Sequence, residues 1–202
     1  MDIQKILIEA LKLRNIFHSE ADFQHHFAWA IQNAYKSAEI RLEYPLSKNI
    51  KSKWEYCDII LRAPEKIGIE LKYKTKLMHR EIDGETFELK SQGAQDVGRY
   101  DFLKDITRLE NWLERGNISS GYAIMLSNDK SYWLTPNNKS TFDSEFKIHN
   151  RTVSGKLSWG SKASVGTMQG RESAIMLKNK YNLKWVDSEL SEFKYLLVEV
   201  KC

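Results

Sequence analysis

Two strands joined by a tight turn, Tyr56 to Lys74 (YCDIILRAPEKIGIELKYK), place charged side chains inside apolar runs. The first strand is predicted over about Trp54 to Leu61 and the second over about Ile67 to Tyr73, with Ala63 to Lys66 turning between them. Side chains alternate along a strand, so Asp58 shares a face with Ile60, and Gly68 shares one with Glu70 and Lys72. The other face carries Ile59, Leu61, Ile67, Ile69 and Leu71, enough to pack against helices. Buried charge is costly unless paired or coordinated. A strand over residues 39 to 46, with Pro45 ending it or marking an edge, extends the pair to an antiparallel meander.

Helices flank the meander. Ile3, Ile6, Leu7, Ala10 and Leu11 have helical spacing, and a second helix is predicted from Ser19 to about Tyr35, with Ser19 and Asp22 forming a capping-box-like start. Its stripe of Phe23, Phe27, Ala30, Ile31 and Ala34 extends back through Gln24 and Glu20, which points Glu20 toward the core side. The competing account of Glu20 is a first-turn acid favoured by the helix dipole. A long helix is predicted from about Ser91 to Arg115. Its stripe of Phe102, Leu103, Ile106, Leu109 and Leu113 runs back through Arg99, Asp96, Gln95 and Gln92. Two helices with polar N-terminal turns on the packing face suggest a shared polar cavity; the competing account is that those turns are solvated. Between meander and long helix, Asp83-Gly84 turns a small hairpin or belongs to a mobile loop.

Residues 119 to 127 read as a strand inside a sheet, 145 to 149 and 152 to 157 as short strands, and FKYLLVEV as a closing strand. The Gly- and Ser-rich segment 158 to 172 carries Trp159, Lys162 and Arg171. It reads either as a nucleic-acid-contacting loop or as a flexible connection. Lys51 and Lys53 add a basic connection before the first charged strand. The expected organisation is a single domain over 1–202, with a core over about 1–135 and a β-rich extension over about 136–202.

Composition narrows the function classes. With two cysteines, one inside a predicted strand, neither a disulfide framework nor a cysteine zinc site is expected, and a reducing cytoplasm is the default. No apolar run reaches the length of a membrane span, and the N-terminus is unlike a signal peptide. A net charge of +4 is compatible with a nucleic-acid partner without requiring one. The histidines form neither H-x-x-x-H nor H-E-x-x-H, and G-x-S-x-G and nucleotide-binding fingerprints are absent. Asp58 and Glu70 are hard oxygen ligands suited to Mg²⁺, and the Leu71 carbonyl is a third donor on the same strand. Phosphodiester hydrolysis suits such a set, with Lys72 positioning or deprotonating water or stabilising phosphate charge. A buried ion pair between Lys72 and either acid is the competing structural account.

Glu20, Asp58 and Glu70-Leu71-Lys72, with eleven residues between Asp58 and Glu70, resemble the motif of the PD-(D/E)XK phosphodiesterase superfamily. The resemblance covers roughly the first 115 residues and the strand near residue 122. It implies an α/β, restriction-endonuclease-like core, a central mixed β-sheet with an antiparallel meander flanked by helices. It further implies Asp58 and Glu70 as the acids, Lys72 as the lysine, Glu20 as the acid of the preceding helix, and Gln92 or Gln95 as a polar residue of the following one. Cys57 stands where many members have proline. The function implied is a Mg²⁺-dependent nuclease (Mn²⁺ as a substitute), with DNA favoured over RNA and a homodimer by analogy. The alternative is a non-catalytic nucleic-acid-binding or assembly protein that retains the fold.

Overall fold

The computed structural model describes residues 1–48, 52–62, 64–138, 140–190 and 192–201. Helix α1 (Ile3–Leu13) starts at Asp2, whose carboxylate accepts from Lys5 N at 2.9 Å, and buries Ile3, Ile6, Leu7, Ala10 and Leu11. Helix α2 (Glu20–Ala34) is capped by Ser19 Oγ, which accepts from Asp22 N. Asp22 reaches back one residue further than a capping box does, accepting from His18 N and clamping the Arg14 guanidinium at 2.9 and 2.7 Å. That ion pair links the end of α1 to the first turn of α2.

Strands β1 (Glu39–Lys48), β2 (Trp54–Arg62) and β3 (Lys66–Lys74) form the antiparallel meander. Strand β1 runs through Pro45 rather than ending there. It is an edge strand, so the missing N–H interrupts no second ladder. A hairpin of β4 (Met78–Ile82) and β5 (Glu85–Leu89) turns at Asp83-Gly84, both with positive φ. Helix α3 (Gln95–Glu114) then crosses over to β6 (Ser120–Ser127), which lies parallel to β3. The helix starts four residues later than the periodicity suggests. Ser91 Oγ accepts from Leu77 N and Gln92 N donates to Thr75 O, so residues 91 and 92 tie down the hairpin base instead of entering the helix.

A 3-10 turn at Ser144–Phe146 occupies part of the predicted strand over 145 to 149. The cause is Asp143, whose carboxylate gathers Thr141, Lys147 and Arg99 and folds the segment against α3. Strands β7 (Arg151–Leu157) and β8 (Ile175–Leu183) form a separate hairpin that packs on α3 and is interrupted by the short helix α4 (Val165–Met168). Strands β9 (Trp185–Asp187) and β10 (Lys194–Val200) return to the main sheet, whose order is β1-β2-β3-β6-β10-β9.

The fold is thus α/β, with a mixed central sheet flanked by helices. One sheet face, with Ile59, Leu61, Ile67, Ile69 and Leu71, packs on α1 and α2 around Phe17, Phe23 and Phe27. The other, with Ile60, Ala123 and Met125, packs on Phe102, Leu103, Ile106, Leu109 and Trp112 of α3. Gly121 lets α3 approach closely: a Cβ there would lie 2.9 Å from Leu109 Cδ2. Among the described residues, no helix is long and apolar enough to cross a membrane.

Candidate active site

The ladder between β2 and β3 ends at Ile59 opposite Ile69, while β3 stays paired with β6 as far as Lys74. Beyond that point the two strands part, and side chains take the backbone groups a longer ladder would have paired. Leu71 N donates to Asp58 Oδ2 at 2.6 Å, and Tyr73 N donates to Glu20 Oε2 at 2.7 Å. Gln24 Nε2 donates to Asp58 O at 2.7 Å, and Arg108 Nη2 donates to Tyr56 O. Buried backbone groups require partners, so each bond keeps the gap open at little cost. The first strand is irregular at the same level. Glu43 of β1 adopts φ 47°, a left-handed conformation that a residue with a side chain rarely takes, and accepts from Gln24 Nε2.

Helix α2 closes one side of the gap with Glu20 and Gln24. Helix α3 closes the other with Asp105 and Arg108. Glu70 is 1% exposed and Asp105 4%. Lys72 Nζ lies 2.7 Å from Asp105 Oδ2 and donates to Leu71 O at 3.0 Å. Arg108 lies 3.2 Å from both Glu70 Oε1 and Asp105 Oδ1, with its guanidinium over the Trp112 ring. Even so, Glu70 Oε1 and Asp105 Oδ2 are buried oxygens without a hydrogen bond: their cations stand within ion-pair distance but not in donor geometry. Asp58 is pushed up to about 6 by burial, against the pull of Lys72 and the Leu71 N–H. Burial and then Asp105 hold Glu70 well above the carboxylate range. Burial acts to lower Lys72 and Arg108, but the surrounding carboxylates outweigh it and raise both. Cys57 is a buried free thiol, raised by burial and by Glu70.

The structure therefore brings Glu20, Gln24, Asp58, Glu70, Leu71 and Lys72 to one gap. Gln92 shares with Glu20 a cleft of about 450 Å³ beside it. Gln95 and Arg99 engage a different segment: Gln95 donates to Asp129, and Arg99 pairs with Asp143 at 2.6 Å and donates to Ser131 O. Trp159 packs among Tyr100, Phe142 and Phe146 and donates to Arg171 O, while Arg171 holds Asp101 through two bonds of 2.7 Å. Lys162 is exposed, as is Lys53, and Lys51 lies outside the described residues. Sequence reasoning missed Asp105 and Arg108. Their signal is present, since Asp105, Arg108 and Trp112 recur at helical spacing beside the apolar stripe, two turns beyond the polar N-terminal turns.

The chemistry of the donor set suits a divalent cation in one respect and not in another. Four acids, Glu20, Asp58, Glu70 and Asp105, face two cations, Lys72 and Arg108, and burial together with the neighbouring acids raises Asp58 and Glu70. Two of the buried carboxylate oxygens have no hydrogen bond. Against this, no group of three His, Cys, Asp or Glu side chains among the described residues is arranged to hold an ion. Glu70 faces Arg108, and Asp58 spends one oxygen on Leu71 N. Binding an ion there requires the carboxylates to turn from these partners. Comparison of the chain with family models, with curated proteins and with solved structures gives no match.

Proposed function

We propose that the protein is a metal-dependent nuclease hydrolysing phosphodiester bonds, built on a restriction-endonuclease-like core, with DNA favoured over RNA and the cytoplasm as its compartment. One observation carries this reading: two strands part at the point where four acids from β2, β3, α2 and α3 converge on only two cations. Stability alone explains such a cluster poorly, because buried ion pairs rarely outperform apolar side chains of similar size. Asp58 and Glu70 would hold the ion, with the Leu71 carbonyl as a further oxygen donor on β3. When bound, Mg²⁺ or Mn²⁺ supplies Lewis acidity and positive charge for the phosphate. Lys72, held against Asp105, presents a positive charge to the phosphate or orients water. Arg108 keeps Glu70 and Asp105 in place, and Glu20 anchors β3 from the opposite wall. Exposed Trp54 and Tyr56 precede Asp58 on β2 and offer ring faces to a base near the gap.

The same hydrogen bonds favour a second reading, in which Asp58, Glu20 and Gln24 merely finish a parted sheet in a non-catalytic nucleic-acid-binding or assembly protein. Incubation of plasmid DNA and of RNA with Mg²⁺ separates the two. Cleavage by the wild type, lost in Asp58→Asn and Lys72→Met, supports the nuclease. Equal cleavage by all forms removes these residues from catalysis, and cleavage of neither polymer leaves the binding reading.

A further inference from the structure

Two clefts of about 240 and 360 Å³ share Thr135, Pro136, Lys147 and His149 and together reach from Arg151 to Arg99 at the start of α3. Among the described residues, no Asp or Glu lines either cleft, whereas Lys147 lines both, Arg151 the first and Arg99 the second. Asp143 is shared between Arg99 at 2.6 Å and Lys147 at 2.9 Å, and Glu145 attracts Arg151. Three cations against these two carboxylates leave an excess of one positive charge. Arg151 donates to Ser144 O, a neutral partner.

Two buried nitrogens lack a hydrogen-bond partner. Arg99 is 6% exposed, and its Nε has no hydrogen-bond partner; neither has Nδ1 of His149. A buried donor left unmade costs about 1–3 kcal/mol, more for a charged group. Water can satisfy one such donor but not the surplus charge. An oxyanion satisfies both, since phosphate oxygens accept charge-assisted bonds from guanidinium, ammonium and imidazole N–H together. The hydroxyls of Thr135 and Ser144 and the Asn138 amide lie on the same walls.

We propose that this cleft is a phosphate-binding site, held by Arg99, Lys147, His149 and Arg151 and separate from the carboxylate gap. Its ligand is a phosphomonoester or a phosphodiester, and the site stands whether or not the gap is catalytic.

Calorimetric titration of the full chain without divalent metal tests this with inorganic phosphate, thymidine 5′-monophosphate and an oligonucleotide bearing hydroxyls at both ends. Saturable binding is expected for at least one ligand, with affinity falling by about 10-fold or more in Arg151→Gln and in His149→Gln and unchanged in Lys12→Gln, an exposed cation on α1. The monophosphate or the end-blocked oligonucleotide, whichever binds, identifies the ester class. In case a variant misfolds, the Nδ1 resonance of His149 in the wild type is followed as well, and it shifts as phosphate saturates. Binding of none of the three ligands, equal affinity in correctly melting variants, or an unmoved His149 resonance overturns the proposal.

Discussion

Replacing Arg108 with glutamine removes the cation that faces two buried carboxylates. Glu70 and Asp105 are 1% and 4% exposed, and Arg108 stands 3.2 Å from each. Removing one partner from a buried pair costs about 3–5 kcal/mol. The Arg108 side chain is itself 23% exposed and Lys72 remains nearby, so the lower end, about 3 kcal/mol, is expected at pH 8. The loss depends on pH. Glu70 titrates well above its ordinary value in the folded chain, so its folded form binds more protons than the unfolded one, and stability falls as pH rises through the folded value. Without Arg108 that value rises further, and protonation relieves the unpaired charge at low pH. Urea unfolding at pH 5 and pH 8 should therefore give a smaller loss at pH 5. The double variant with Glu70→Gln should recover about 1.5 kcal/mol or more relative to additivity. A loss below about 1 kcal/mol at pH 8, or one independent of pH, would refute the electrostatic account of the gap.

Asp105→Asn removes the partner of Lys72 while keeping its shape. Cleavage in a plasmid assay, at a temperature where the variant is folded, should fall on the order of 10²-fold, and urea unfolding should show a loss of about 3 kcal/mol because Lys72 and Arg108 lose a buried partner. Glu110 is 3% exposed and accepts from Lys178 N, Asn179 N, Asn179 Nδ2 and Tyr181 Oη, so Glu110→Ala removes the acceptor of four donors; urea unfolding should show a loss of about 3 kcal/mol. Asp143 is held down from 3.8 to about 2, by hydrogen bonds from Thr141, Lys147 and Arg99 that overcome its burial. Its contribution, about 2 kcal/mol, is complete above the unfolded value and fades as pH falls from about 4 to about 2. Asp143→Asn should remove that acid-sensitive part of the unfolding profile.

The meander, both flanking helices and the hairpin at Asp83-Gly84 are legible because each rests on local periodicity or turn chemistry. The packing residues of α1 can be read directly from Ile3, Ile6, Leu7, Ala10 and Leu11. What escapes the sequence depends on contacts between distant segments. Ser91 looks like a helix cap, yet its hydroxyl serves Leu77, fourteen positions earlier. The strand expected over 145 to 149 yields to Asp143, which binds Arg99 across forty-four positions. At the gap, Asp58, Glu70 and Lys72 can be read from strand parity, and Glu20 from its helical stripe. Asp105 and Arg108 recur with Trp112 at helical spacing, but only the crossover of α3 brings the middle of that helix over Glu70.

A crystal soaked in Mn²⁺, with anomalous scattering recorded, tests the central claim most directly. The expected result is a Mn²⁺ peak within bonding distance of carboxylate oxygens of both Asp58 and Glu70, with Glu70 turned from Arg108. The contradicting result is no peak in the gap at millimolar Mn²⁺, with the Glu70–Arg108 and Lys72–Asp105 pairs unchanged.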